Sequence, residues 1–103
     1  MTQHAYLRAV RELFLQLPHT HKRFSRSDRH LASQLFQRHT SIDTIRAALL
    51  LATARRLCRD PGSPVLPPVR SLYYFLPLID EILLHPLPNG YLQYLEYKIA
   101  QHR

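Results

Sequence analysis

The sequence predicts an all-α fold, a compact bundle of four to five short helices, on three observations. Apolar residues recur at helical three-and-four spacing, strand-like alternation is absent, and only two glycines occur in 103 residues. An apolar fraction of 46% is ordinary for a folded chain, and the length suits one domain, 1–103, with a single core.

The first helix, about 2–17, carries Tyr6, Val10, Leu13, Phe14 and Leu17 on one stripe and stops at Pro18. A polar loop follows over 18–26. The second helix, about 27–38, turns Leu31, Ala32, Leu35 and Phe36 inward, and Ser25-Arg26-Ser27-Asp28 has the spacing of a capping box. The third, about 41–58, opens at Thr40-Ser41-Ile42-Asp43 with the same device expected. Its run Ala47–Ala52 is apolar nearly all round, which makes it the central helix.

Residues 60–68 hold four of the eight prolines and read as a stiff, non-helical linker. Ser71 caps a fourth helix that buries Leu72, Phe75, Leu76, Ile79, Ile82 and Leu83. Pro77 either kinks that helix or starts a second piece near Phe75-Leu76. Pro86 and Pro88 end it. Asn89-Gly90 then opens a fifth helix, about 90–101, with Leu92, Leu95 and Ile99 inward.

Charge divides the chain unevenly. Residues 1–60 hold eleven Lys/Arg against four acids, a balance of +7, whereas residues 61–103 hold three of each. A concentrated positive potential favours polyanionic partners. The basic helices 1–60, the Pro-rich linker 60–70 and the neutral, Tyr-rich helices 71–103 are thus three chemically distinct stretches. The longest apolar runs are far short of a membrane span, and no signal peptide is visible at the start. With a single cysteine, Cys58, the expectation is a reduced, cytoplasmic protein with no disulfide framework and no membrane partner.

Residues 28–49 have the pattern of a helix-turn-helix-like pair. Ala32 allows a close crossing, and Ile42 and Ile45 lock the second helix. In that arrangement Asp43, Thr44, Arg46 and Ala47 face a groove while Arg26, Arg29 and Arg38 meet phosphates. Lys22, Arg23, Arg55, Arg56 and Arg59 complete the nucleic-acid-binding candidates. Five of six tyrosines lie beyond residue 70, and Tyr73, Tyr91 and Tyr94 are the candidate protein-interface residues, since Tyr offers a large rigid contact with a polar tip.

Catalytic chemistry is poorly supported. No Gly-rich phosphate loop or Gly-flanked nucleophile is present, and Asp80-Glu81 point about 100° apart on a helix. His19-Thr20-His21, with His30 or His39, is a weak metal-pair pattern without an assignable third ligand. Neither metal nor cofactor is expected.

From Ser27 to Leu84 the order of features resembles helical domains of replication-initiation proteins of phages and mobile elements, including DnaD-like domains. The likeness lies in the central helix Ser41-Ile42-Asp43-Thr44-Ile45-Arg46-Ala47-Ala48-Leu49 and in Arg70-Ser71-Leu72-Tyr73-Tyr74-Phe75-Leu76-Pro77-Leu78-Ile79-Asp80-Glu81-Ile82-Leu83, a short helix ending in an aromatic before an acidic-apolar stretch. The proline-rich loop and the tyrosine-rich last helix depart from that pattern. Such a resemblance implies contact with DNA or a replisome partner without catalysis. The functional expectation is a non-catalytic nucleic-acid-binding module, with DNA favoured over RNA, and a protein partner or second copy docked on the C-terminal helix. The alternative is a protein-interaction adaptor or inhibitor whose basic face meets an acidic protein surface.

Overall fold

In the computed structural model, which describes residues 1–18 and 20–102, five α-helices form in the expected order: α1 Gln3–Gln16, α2 Arg26–Gln37, α3 Ile42–Leu57, α4 Leu76–Leu84 and α5 Tyr91–Gln101. A 3₁₀ turn, Leu72–Phe75, precedes α4. The radius of gyration is 13.6 Å, near the roughly 13 Å of a compact 100-residue domain.

Helix α3 is the hub. Eight of its sixteen residues are buried, including Ile45, Ala48, Leu49 and Ala52, because α1, α4 and α5 all pack on it. Helix α2 instead packs on α1 and on the 3₁₀ turn. Phe14, fully buried, joins these layers with its ring 5.8 Å from Phe24 and 6.2 Å from Phe75. Val10, Leu35, Leu72 and Ile79 fill the same core. Leu83 departs from the expected inward stripe. It is 53% exposed, because Ile79 and Ile82 take the core-facing positions of α4 and Leu83 is left at their edge.

The capping chemistry decides where elements begin. Ser25 and Asp28 form the expected reciprocal box at α2. The same device does not open α3: its cap is Ser41, whose hydroxyl accepts from the Thr44 backbone N–H. Thr40 belongs instead to the end of α2, its N–H donating to the Leu35 carbonyl while His39 N–H donates to Phe36. This is a Schellman closure in which His39 takes the left-handed place, at φ 60°, that glycine usually fills. Pro77 lies in the first turn of α4, where its missing N–H costs nothing, so the fourth helix is split into 3₁₀ turn and α-helix rather than kinked. Ser71 therefore caps the 3₁₀ turn. Gly90 opens α5 at φ 83°.

Two predictions follow from local chemistry. Replacing His39 with Gly removes the left-handed penalty of an L side chain and restores some unfolded-state entropy. The expected result is a gain of roughly 0.5–1 kcal/mol, seen as a melting temperature a few degrees higher.

The second concerns Tyr6, whose buried hydroxyl donates to the Thr40 carbonyl at 2.8 Å. Burial pushes its phenol from 10.0 up to about 12. Below pH 10 Tyr6 is neutral in folded and unfolded chains alike, and its contribution is fully present. As pH rises from 10 toward 12 the unfolded chain ionises first, so stability falls. Tyr6→Phe is expected to cost about 1 kcal/mol at neutral pH. It should also flatten the decline in a urea-denaturation series between pH 9 and 12.

Candidate nucleic-acid interface

Residues 13–42 contain Lys22, Arg23, Arg26, Arg29 and Arg38 against a single acid, Asp28. That acid is fully buried. Its Oδ2 accepts the Ser25 backbone N–H at 2.9 Å, and its Oδ1 accepts the Leu72 N–H at 2.9 Å and the Ser71 hydroxyl at 3.0 Å. One carboxylate therefore joins the start of α2 to the start of the 3₁₀ turn, 43 and 44 residues away. A second stitch lies beside it: His21 N–H donates to the Val69 carbonyl at 2.8 Å, and Thr20 and Val69 form an isolated parallel bridge.

These stitches gather basic residues from three separate segments. Arg70 is exposed between buried Val69, held to the 20–21 loop, and half-buried Ser71, held to Asp28. It thereby joins exposed Lys22, Arg23, Arg26 and Arg29. Sequence reasoning missed Arg70 because it sits in a stretch of zero net charge, and nothing local signals that the chain returns to the α2 N-terminus. The capping box was visible in the sequence. The second use of the Asp28 carboxylate was not.

The other candidates are occupied by intramolecular contacts. Arg46 pairs with Glu96 of α5, and Arg55 pairs with Glu81 of α4 at 3.2 Å. Arg59 donates to the Pro64 carbonyl at 3.0 Å, and Arg56 donates to the Pro67 carbonyl and lies over the Tyr74 ring, 5.4 Å from its centroid. The reason is chemical. A Pro-rich segment is short of backbone N–H donors and cannot build regular structure, and the guanidinium groups at the α3 C-terminus supply donors to its carbonyls that strap the linker down. Lys22 is part-way between the two classes, since its Nζ donates to the Leu15 and Leu17 carbonyls at the end of α1. Among the described residues, no carboxylate lies within salt-bridge distance of Arg23, Arg26, Arg29, Arg38 or Arg70.

Of the helix-turn-helix-like residues on α3, Asp43 is exposed. Ala47 is buried, Thr44 is half-buried against Ser41, and Arg46 is held by Glu96. Residues Asp43, Thr44 and Ala47 line a recess closed on its far side by Ile82, Leu87, Pro88 and Leu92. Residues 47–49 and 51–54 of α3 are buried in packing, and its exposed positions are Asp43 and Arg55.

At the other end, Tyr73 and Tyr94 are exposed, as the interface reading needs, at 43% and 49%. Tyr91 is half-buried and packs against the core and against Tyr94, with ring centroids 5.6 Å apart, so it also serves packing. Tyr97, at 61%, is the most exposed tyrosine of α5. Cys58 is exposed and free. Of the histidine pair, His19 lies outside the described residues, and among those described no three His, Cys, Asp or Glu side chains gather as a metal site. No described helix is long and apolar enough to cross a membrane.

No family model, curated protein or solved structure matches the chain. The functional reading therefore stands on this geometry.

Proposed function

We propose that the protein is a non-catalytic nucleic-acid-binding module that grips the phosphates of duplex DNA with Arg23, Arg26, Arg29 and Arg70, assisted by Lys22 and Arg38. The observation that carries this is the basic cluster at the start of α2. Basic residues of three segments, Lys22 and Arg23, Arg26 and Arg29, and Arg70, are brought to one region by backbone stitches, and Asp28, the single carboxylate of residues 13–42, is buried and forms one of them. Arginine suits the role because its planar fork matches phosphate oxygens and keeps its charge. Arg46, Arg55, Arg56 and Arg59 are assigned to the fold instead. Arg46 and Arg55 are neutralised by Glu96 and Glu81, and Arg56 and Arg59 are held on the Pro67 and Pro64 carbonyls.

Tyr73 and Tyr94 provide the surface for a protein partner or second copy. From the resemblance of residues 27–84, the module would act in replication or recombination of a mobile element.

A titration of duplex DNA against salt tests the reading. The logarithm of the association constant should fall linearly with that of salt concentration, with a slope of about −0.9 for each phosphate engaged. A slope near −4 corresponds to the four arginines. Undetectable binding to DNA or RNA at low salt overturns the proposal and leaves the adaptor docking on an acidic protein surface.

A further inference from the structure

We infer that α2, not α3, is the helix that enters the DNA major groove, and that His30, Gln34 and Gln37 read base edges there. This rests on the phosphate-binding reading above and goes beyond it to sequence-specific duplex recognition.

The exposed positions of α2 and its C-cap are Arg26, Ser27, Arg29, His30, Gln34, Gln37 and Arg38. None is acidic and none is apolar. The other helices differ on this point: exposed positions include Glu12 on α1, Asp43 on α3, Asp80 and Leu84 on α4, and Glu96 and Tyr97 on α5. An acid on a groove-facing surface would repel the phosphates on both sides. Among the described helices, α2 alone presents a face made only of cations and neutral hydrogen-bonding groups. Its packing on α1 and the 3₁₀ turn uses the opposite side, through Leu31, Ala32, Leu35 and the inward Asp28.

The order of groups along the ridge fits a groove. Arg26 and Arg29 stand at one end, Arg38 at the other, and His30, Gln34 and Gln37 between them. At 3.6 residues per turn, the nine residues from Arg29 to Arg38 put the two arginines on opposite flanks of α2, with His30, Gln34 and Gln37 on the face between them. A helix lying in the major groove has a phosphate backbone along each flank, so the two cations meet opposite rims while the neutral face lies over the bases. Gln is suited to the paired donor and acceptor of adenine, and Arg to guanine. Gln34 and His30 lie in contact one turn apart, Nε2 to Nε2 at 3.3 Å, so the two polar groups share one stretch of the exposed face. Arg23 and Arg70, held at the N-terminal end by the Asp28 tether, then extend the grip along the same strand.

The experiment is selection of a randomised duplex pool with the full chain, followed by binding of the enriched duplex to wild type and to a Gln34→Ala/Gln37→Ala variant. The expected result is a short enriched motif. The variant should lose about tenfold or more of its preference for that motif over random duplex, with salt slope and thermal melt unchanged. Three results would overturn the inference. Binding at the expected salt slope with no enriched motif, or with a preference that the double variant keeps, leaves the phosphate grip standing and removes base reading. Tighter binding to single strands than to duplex removes the groove. No binding to any duplex at low salt fails the underlying function as well, so the two failures are distinguishable.

Discussion

Asp28→Ala is expected to lower stability by about 3–5 kcal/mol, the largest single effect at any polar residue of this chain. Three hydrogen bonds end on its carboxylate, two of them from backbone N–H groups of Ser25 and Leu72. With the side chain truncated, Leu72 N–H is left buried without a partner, at a cost of roughly 1–3 kcal/mol. Loss of the reciprocal half of the α2 capping box, the Ser25 N–H bond to the carboxylate, adds about 1 kcal/mol, and release of Ser71 adds a comparable amount. For a domain of this size each kcal/mol is about 4–8 °C in melting temperature, so the variant should melt at least about 12 °C lower. Asp28→Asn keeps one oxygen for Leu72 and Ser71 but turns an NH₂ toward the Ser25 N–H, and roughly half the loss is expected. Thermal and urea melts followed by circular dichroism measure both. An Asp28→Ala melt within two or three degrees of wild type would mean the carboxylate is not the tether described here.

The triple variant Arg26→Ala/Arg29→Ala/Arg70→Ala is expected to weaken duplex binding by on the order of a hundredfold at physiological salt and to flatten the salt slope by roughly 2.7. All three side chains are exposed and make no ion pair among the described residues, so the melt should barely move. Arg46→Ala/Arg55→Ala is the matched control. Those two arginines are spent on Glu96 and Glu81, and exposed pairs of this kind contribute only about 0.2–1 kcal/mol, so both slope and stability should change little. If the control flattens the slope as much as the triple variant does, DNA binds on α3 and the assignment of the surface is reversed.

The placement of these arginines separates what is local from what is not. Near-neighbour chemistry was legible: the Ser25–Asp28 box, the entry of Pro77 at the start of α4 and the opening of α5 at Gly90 all follow from side chains within four residues of the backbone they serve. The central position of α3 was legible for a related reason, since a helix apolar on every side has to be enclosed. The spacing of Ile42 and Ile45 did not reveal that Ala47 is buried and that Arg46 pairs with Glu96. His39 was harder to read, because a left-handed helix end without glycine is set by the closure of Thr40 onto Leu35 rather than by residue type.

By itself, then, the sequence determined the helices, the cap of α2 and the breaks at the prolines, most of the buried stripe of each helix, and the excess of positive charge in the first sixty residues. These depend on periodicity and on contacts a few residues long. Only the tertiary structure decided which arginines stay available. Arg46, Arg55, Arg56 and Arg59 meet partners 50, 26, 11 and 5 residues away, whereas Arg70 is carried out of the neutral segment to the α2 N-terminus by one buried carboxylate. A charge is cancelled or left free by what lies within a few ångströms of it, and in a chain that folds back on itself that distance is set by packing, not by position along the sequence.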